Sequence, residues 1–252
     1  MARSLRSGSR LASTAGTRIV GMMMDIIPAA GGGIRIMPIR HASLQIEYAN
    51  TVIHIDPWGH GDYARAKPAD LVLVTDLHSD HLDTDQIARI RRAGAPVVMP
   101  AAVRDAAGDS VPAPIVVMAN GDTRTVAGVG IEAVPMYNLV RGPKPGEVYH
   151  PKGRGNGYVM TLGGQRLYVA GDTENIPETR ALGTIDVAFM PMNLPYTMTP
   201  AEAAECVKAF RPRIVYPYHY LGQNVGEFVE ALRGQQIDVR FGAWYPADPS
   251  GD

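Results

Sequence analysis

Short apolar runs separated by turns dominate the chain, and this pattern predicts strands rather than long helices. The run at 71–75 (LVLVT) is continuously apolar, as is typical of a strand buried on both faces. Ala49-Asn50 lies between two such runs and predicts a tight hairpin. In the first half, strands are predicted at 34–39, 44–48, 52–56, 71–75, 97–99, 115–118 and, as a hairpin, 123–134. In the second half they are predicted at 157–161, 166–170, 187–190 and 214–218.

Capping residues predict where the helices begin. Asp83 or Thr84 caps a helix that follows the run of acidic and histidine residues and ends at Gly94. Thr199-Pro-Ala-Glu202 is a capping box with proline at the first helical position, and it predicts a helix to about residue 210. Asn224 is the predicted cap of a last helix, which runs to about residue 233.

The order of these elements suits two sheets packed face to face with helices outside. The 252 residues are enough for one large α/β domain or two small ones, and we predict a single domain over residues 34–252. Gly31-Gly32-Gly33 is the predicted joint before this domain. Residues 1–33 are predicted to be a disordered leader, since Asp25 interrupts a short apolar run and makes a poor signal peptide.

Composition excludes several classes of protein. A formal net charge of −1 without a clustered basic stripe argues against nucleic acid and anionic membranes as partners. No apolar run reaches the roughly 18 residues of a membrane span. Cys206 is the single cysteine, which excludes an intrachain disulfide and a thiolate cluster. We predict a cytoplasmic protein, or an exported one if the leader acts as a signal, and a homo-oligomer is compatible with the sequence.

The strongest chemical signal is Asp76-Leu-His-Ser-Asp-His81, which directly follows the run at 71–75. In an extended segment Asp76, His78 and Asp80 share one face, and His81 can reach the same point as the chain turns into the helix. Imidazole and carboxylate groups together suit zinc, manganese or iron(II). The alternative is a solvated loop whose acidic residues cap the helix.

Two later positions strengthen the metal interpretation through their order along the chain. Asp172 follows an apolar strand, and the preceding Gly171 allows a metal to come close. His219 follows the strand at 214–218. Taken alone, the first is also an ordinary turn and the second a hydrogen-bonded structural histidine. Together they place candidate ligands at strand ends, where α/β folds carry their chemistry.

These segments resemble the metallo-β-lactamase superfamily. Asp76-Leu-His-Ser-Asp-His81 is similar to its His-x-His-x-Asp-His signature, and further landmarks of the family resemble Ile55-Asp56-Pro57, Ala170–Thr173 and Pro217–Tyr220. The resemblance covers residues 34–220, and the nearest branch is that of the L-ascorbate-6-phosphate-lactonase-like metal-dependent hydrolases. It implies an αββα sandwich with the site between the two sheets.

The resemblance also implies roles for individual residues. Asp80, His81 and His219 would hold one metal, and Asp172 would bridge it to a second. In the family the second metal is also held by two histidines of the signature and one from a mid-chain strand. The metal would lower the pKa of a bound water, which Asp80 and Asp172 would orient.

This sequence departs from the family pattern at two positions. Asp76 stands in place of the first histidine, while His78 is retained. The mid-chain strand ends in Tyr137-Asn138 with no histidine, and either residue is a candidate, weaker ligand. One site is therefore predicted to be complete and the other altered, with a single metal or a harder metal such as manganese as the two outcomes. Asp76, if it is not a ligand, is either a general base or an acceptor that orients a liganding histidine.

A glycine-rich stretch, His150–Gly157, is the predicted substrate loop, because its glycines let the backbone approach a ligand closely. Its basic residues could hold an anionic group, unless the loop is mobile and solvated. His41 matches a histidine of the related pattern and is equally compatible with a core position. The candidate substrate-binding residues are His150, Lys152, Arg154, Asn156, Asn193 and His41.

We therefore predict a metallohydrolase that uses metal-activated water on a small ester, lactone or phosphodiester, with Zn²⁺ as cofactor and Mn²⁺ or Fe²⁺ as alternatives. Its predicted partner is a small-molecule substrate. The competing interpretation is a metal-binding protein of the same fold with little or no turnover. The neutral charge disfavours a nucleic-acid-processing enzyme of the superfamily.

Overall fold

The computed structural model describes residues 22–245, which form two seven-stranded sheets. The first sheet contains, in chain and sheet order, β1 (Asp25–Ala29), β2 (Gly32–Arg40), β3 (Ser43–Tyr48), β4 (Thr51–Ile55), β5 (Leu71–Leu73), β6 (Val97–Met99) and β7 (Ile115–Val117). The second contains β8 (Thr123–Val126), β9 (Val129–Met136), β10 (Gly155–Leu162), β11 (Gln165–Val169), β12 (Val187–Pro191), β13 (Ile214–Tyr218) and β14 (Asp238–Val239), in the order β14-β13-β12-β11-β10-β9-β8.

Both sheets are mixed and share one pairing scheme. Strands β1 to β4 and strands β8 to β11 pair antiparallel with their neighbours. Strands β4 to β7 and strands β11 to β14 pair parallel. Each sheet therefore has a parallel half in which the carboxyl ends of the strands lie along one edge. The candidate metal ligands were predicted at such strand ends.

The helices are α1 (Thr84–Ile90), α2 (Ala101–Ala107), α3 (Pro177–Arg180), α4 (Pro200–Phe210) and α5 (Val225–Ala231). The predicted caps are confirmed: the side chains of Asp83 and Asn224 accept from backbone N–H groups, and Thr199 forms a full capping box with Glu202. Helix α1 ends before the predicted Gly94, because the chain leaves it to form a β-bridge with Ala69. Within residues 22–245, no helix has the length and apolar character that crossing a membrane requires.

Alternating side chains divide the core into layers. In β12, Val187 and Phe189 point into the core between the two sheets, whereas Ala188 and Met190 pack beneath the helices on the outer face of the second sheet. In β5, Leu71 and Leu73 likewise point between the sheets, and the intervening position packs against α1 and α2. The predicted αββα sandwich is confirmed, since two sheets face each other with helices on both outer sides.

The predicted start of the domain at residue 34 is too late. Residues Asp25–Ala29 form β1 and pair with β2 through a turn in which Gly31 has a φ of +78°. Part of the predicted leader is thus an edge strand of the first sheet. The rest of that prediction, residues 1–21, lies outside the described residues.

Asp25 joins the two sheets at this edge. Its carboxylate accepts hydrogen bonds from the Tyr216 hydroxyl in β13 and, at 2.9 Å, from Arg240 Nη1. Burial opposes ionisation, but the Tyr216 and Arg240 hydrogen bonds outweigh it and lower the pKa of Asp25 below its ordinary 3.8. The ionised form therefore stabilises the fold.

We expect Asp25→Asn to lower the free energy of unfolding by about 1 kcal/mol at neutral pH, because it weakens charge-assisted hydrogen bonds. A lowered folded-state pKa gives stability that is present above the unfolded pKa and is lost as the pH falls through the folded one. The difference between wild type and variant should thus shrink below about pH 4. Urea unfolding across pH measures it, with Asp105→Asn at an exposed position of α2 as the control. A pH-independent difference would contradict this role.

Candidate metal centre

The candidate ligands meet at the carboxyl ends of parallel strands. Asp76 follows β5, Asp172 follows β11 and His219 follows β13. The parallel halves of both sheets end on the same edge of the sandwich, so residues that are distant in sequence come together there.

The segment between β5 and α1 is a turn rather than an extended strand. The backbone N–H groups of His81 and Leu82 both donate to the His78 carbonyl oxygen, at 2.9 and 2.8 Å. The turn separates the ligands into two groups, with Asp76 and His78 in one and Asp80 and His81 in the other. The prediction that Asp76, His78 and Asp80 share one face of an extended segment is therefore wrong, because these backbone hydrogen bonds fold the segment into a turn.

The first cluster consists of Asp80, His81, Asp172 and His219. His219 Nε2 lies 3.3 Å from Asp80 Oδ2 and 3.2 Å from Asp172 Oδ1. His81 Nε2 lies 3.4 Å from Asp172 Oδ2 and 3.7 Å from Asp80 Oδ2. Tetrahedral ligands at about 2.0–2.2 Å from a zinc ion stand roughly 3.3–3.6 Å from one another. The first cluster therefore has the spacing of a zinc site.

The second cluster consists of Asp76, His78 and His150. His150 Nε2 lies 3.2 Å from His78 Nδ1, which in turn lies 3.0 Å from Asp76 Oδ2. His150 Nε2 is also 3.4 Å from Asp172 Oδ2, the oxygen that faces His81 in the first cluster. Asp172 thus lies between the clusters, in the position that the family resemblance gives to a bridging ligand.

A buried carboxylate orients His81. Asp56 Oδ2 lies 2.8 Å from His81 Nδ1, and neither side chain is exposed. Thr75 holds that carboxylate in turn, because its N–H and hydroxyl donate to the two Asp56 oxygens at 2.7 and 2.6 Å. With Nδ1 engaged, His81 presents Nε2 to the first cluster. Asp56 has no predicted site role beyond its place in a family landmark, although its position directly after β4 was a usable signal.

Several buried polar atoms of the first cluster lack partners. His81 Nε2, Asp172 Oδ1 and both ring nitrogens of His219 make no hydrogen bond within residues 22–245. Burying such atoms unsatisfied costs about 1–3 kcal/mol each. A divalent cation would satisfy Nε2 of both histidines and the carboxylate oxygen together, so these residues fit a zinc-type ion.

The charges of the first cluster also favour a cation. Burial opposes protonation of His81, but the carboxylates of Asp172, Asp80 and Asp56 outweigh it and raise the pKa of His81 well above its ordinary value. Burial also opposes ionisation of Asp172, yet His219 and His81 hold its pKa well below the usual range. The cluster therefore attracts positive charge, which a metal ion would supply in place of a proton.

His41 supports the first cluster from outside it. Its Nε2 lies 3.3 Å from Asp80 Oδ2, its Nδ1 contacts the Tyr245 hydroxyl, and its ring lies against that of His219, tilted by 36° with centroids 3.6 Å apart. Its carbonyl oxygen also accepts from the His219 N–H at 3.2 Å. The side chain is 8% exposed, so His41 positions Asp80 and His219 rather than offering a free group to substrate.

The structure places His150, and not Tyr137 or Asn138, in the second cluster. Asn138 Oδ1 accepts from the His150 N–H at 2.9 Å and contacts His150 Nδ1, so Asn138 orients the histidine. The Tyr137 hydroxyl donates to Glu178 at 3.0 Å. The predicted ligand roles of Tyr137 and Asn138 are thus corrected. The end of β9 has no histidine, and His150 from the following loop supplies one to the second cluster instead.

The basic residues of the predicted substrate loop have acidic partners in the protein. Lys152 Nζ donates to Glu178 at 2.6 Å while its side chain remains 60% exposed. Arg154 donates to both oxygens of Asp76, whose side chain is fully buried. Of the two, Lys152 is the one accessible to an anionic group in solution.

The two predicted substrate-binding asparagines are buried. Asn156 Nδ2 donates to the Met118 carbonyl oxygen at 2.8 Å, and the Asn156 N–H donates to the Thr75 carbonyl oxygen at 3.0 Å. The Asn193 N–H donates to Thr197 Oγ1 at 2.7 Å and holds a turn before α4. Both residues therefore stabilise the backbone around the clusters through these hydrogen bonds.

Known proteins resemble this chain in sequence and in fold. A family model described as a β-lactamase superfamily domain matches residues 35–219. A UPF0173 metal-dependent hydrolase from Thermococcus kodakarensis is 33% identical over 220 residues, which cover 82% of this chain and 95% of that protein. A crystal structure from Parabacteroides distasonis, described as a metal-dependent hydrolase, is 39% identical with a TM-score of 0.80, and the match covers 88% of this chain and 99% of that one.

The fold itself also occurs in proteins with other chemistry. CmlA, a diiron β-hydroxylase from Streptomyces venezuelae, has a TM-score of 0.66 at 16% identity, over 85% of this chain and 53% of that one. A likeness at this identity shows the fold alone, so the reaction has to be argued from the site. The family model and the hydrolase relatives match across most of the chain, and this protein therefore belongs to the β-lactamase superfamily of metal-dependent hydrolases.

Proposed function

We propose that this protein hydrolyses a small ester, lactone or phosphodiester, with a divalent metal held by the first cluster. The observation that carries the proposal is the set of buried, unpartnered atoms on His81, Asp172 and His219. Two histidines and two carboxylates form a donor set that suits Zn²⁺, with Mn²⁺ and Fe²⁺ as alternatives.

A divalent cation bound there supplies Lewis acidity, which activates water and polarises the bond to be cleaved. Asp80 is the ligand nearest to solvent, with 26% of its side chain exposed against 4% or less for the other three. Burial opposes its ionisation, but His81, His219 and His41 lower its pKa well below the ordinary value. As the ionised carboxylate on the solvent side of the cluster, Asp80 can accept a hydrogen bond from the attacking water and orient it.

Asp76 is poorly placed to act as a general base. Its side chain is fully buried, and both oxygens accept hydrogen bonds from Arg154. A general base must reach the proton that it removes. These contacts favour the alternative in which Asp76 supports the neighbouring residues of the site.

The loop that carries His150 supports a substrate with an anionic group. Lys152 lies two residues beyond His150 and is 60% exposed. A lysine ammonium is a mobile point charge, and it can exchange Glu178 for a phosphate or carboxylate group of the substrate. This favours phosphodiesters and acidic lactones within the proposed class.

A turnover screen tests the proposal. Wild type, stripped of metal and reloaded in turn with Zn²⁺, Mn²⁺ and Fe²⁺, is assayed on lactones, carboxylic esters and phosphodiesters. We expect hydrolysis of at least one class, and a fall of kcat by about 100- to 10,000-fold in Asp80→Asn. Asp70→Asn, a carboxylate outside both clusters, should retain turnover. Metal-loaded protein without turnover across the panel would instead favour a metal-binding protein of the same fold.

A further inference from the structure

Arg154 is a fixed positive charge inside the second cluster. Its Nε donates to Asp76 Oδ1 at 3.1 Å, and its Nη2 donates to Asp76 Oδ2 at 2.9 Å. The same Nη2 lies 3.3 Å from His78 Nε2. A planar guanidinium that binds both oxygens of a carboxylate is the strongest form of such a pair.

Burial makes this pair hard to separate. The Asp76 side chain is fully buried, and that of Arg154 is 19% exposed. A buried carboxylate that loses its partner is strongly destabilising, because nothing else neutralises the charge. A metal ion at the second cluster would therefore have to replace the guanidinium or share Asp76 with a cation about 3 Å away.

The backbone holds Arg154 in this place. A Cβ on the next residue, Gly155, would lie 2.1 Å from the Met136 side chain and 3.0 Å from the Thr75 carbonyl oxygen. The Asn156 N–H donates to that same carbonyl oxygen at 3.0 Å. The backbone that follows Arg154 is therefore packed against the segment after β5. This packing keeps the Arg154 side chain within reach of Asp76.

The first cluster has no such internal cation. Within residues 22–245, the ion pairs of Asp80 and Asp172 are made with histidines and not with arginine or lysine. Within the described residues, His81 Nε2 and both ring nitrogens of His219 lack partners, whereas Asp76 has both oxygens occupied. The two clusters therefore differ in what they need: the first lacks a cation and the second already holds one.

We infer that Arg154 takes the place of a second metal ion, so that the protein binds a single divalent cation at the first cluster. The guanidinium supplies the positive charge that Asp76 would otherwise draw from a metal. The inference rests on the metal site of the proposed function and does not depend on its substrate.

Metal titration of the full-length protein tests this directly. Metal-free wild type, Arg154→Met and Arg154→Lys are titrated with Zn²⁺ by calorimetry, and the metal retained after desalting is measured by elemental analysis. We expect about one equivalent in wild type and about two in Arg154→Met, where Asp76 is left as a free ligand. Arg154→Lys keeps the charge and should stay near one equivalent. Arg166→Met removes an arginine that pairs with Glu132, outside both clusters, and serves as the matched control.

Electron paramagnetic resonance with Mn²⁺ gives a second measurement. An isolated ion gives a six-line spectrum in wild type, and a pair of ions in Arg154→Met should give a spin-coupled signal. Wild type that binds two metal ions per chain with similar affinity would overturn the inference, even if Arg154→Met fails to fold. A folded Arg154→Met that still binds only one would overturn it as well.

The outcomes separate this inference from the proposed function. Two metals in wild type together with turnover would sink the inference alone. One metal in wild type and two in Arg154→Met, without turnover, would support the inference and count against hydrolysis. Wild type that retains no metal after reconstitution would overturn both.

Discussion

Asp172→Asn is expected to abolish stable metal retention and to lower kcat/KM by about a thousandfold or more, which is roughly 4 kcal/mol of transition-state stabilisation. Asp172 contacts both clusters, through His81 and His219 on one side and His150 on the other. An amide of the same shape keeps the packing but removes the negative charge and one acceptor oxygen. The loss should therefore be one of metal affinity rather than of folding.

Three measurements separate these effects. Elemental analysis gives the metal content, calorimetric competition with a chelator gives the affinity, and thermal unfolding of the metal-free proteins gives the stability. Asp70→Asn is the matched control, since that carboxylate pairs with Arg92 and accepts from the Val52 N–H away from the site. Asp172→Asn with wild-type metal affinity would show that the first cluster is not the metal site.

Trp244→Ala should lower the free energy of unfolding by about 3–5 kcal/mol, the range for deleting a large buried aromatic side chain. Trp244 is fully buried in the core between the sheets, with ring centroids 5.9 Å from Tyr218 and 6.4 Å from Phe189. Its Nε1–H has no hydrogen-bond partner within the described residues, so its contribution is packing alone. The backbone at Gly242 approaches its ring, where a Cβ would lie 3.0 Å away, and this limits collapse of the cavity.

The second tryptophan provides the matched control. Trp58 is half-buried at the surface and contacts His60 with tilted rings whose centroids are 4.6 Å apart, so Trp58→Ala leaves no enclosed cavity. Urea unfolding should give a loss of about 1 kcal/mol or less for this variant. A loss for Trp244→Ala no larger than that for Trp58→Ala would show that the C-terminal segment does not close the core.

Local patterns predicted most of the strands and the helix caps. Strands β12 and β13 are short apolar runs bounded by turns, and the side chains of Asp83 and Thr199 bond to residues three positions away. Such signals lie within one element and need no tertiary partner. Strand β1 was missed because its first residue is acidic, and the groups that donate hydrogen bonds to Asp25 lie 191 and 215 positions along the chain.

The site residues also divide into those with a local sequence signal and those placed by tertiary contacts. Asp80, His81, Asp172 and His219 are metal-competent residues directly after strands or in the turn that follows one, and the sequence indicates them as a set. His150 carries no such local signal. It lies 12 positions beyond Asn138 in a loop, and the hydrogen bonds between these two residues bring it to the second cluster.

The sequence by itself determined which chemistry is available: imidazole and carboxylate groups at strand ends, without thiolates or a basic surface. Only the tertiary structure decided how those groups are divided. It curled the Asp76–His81 segment so that its ligands face two clusters, and it brought Arg154 across 78 positions to bind Asp76. The physical reason is that charge pairing inside a protein depends on distance and burial, which the fold sets, whereas the type of each ligand is a property of the residue alone.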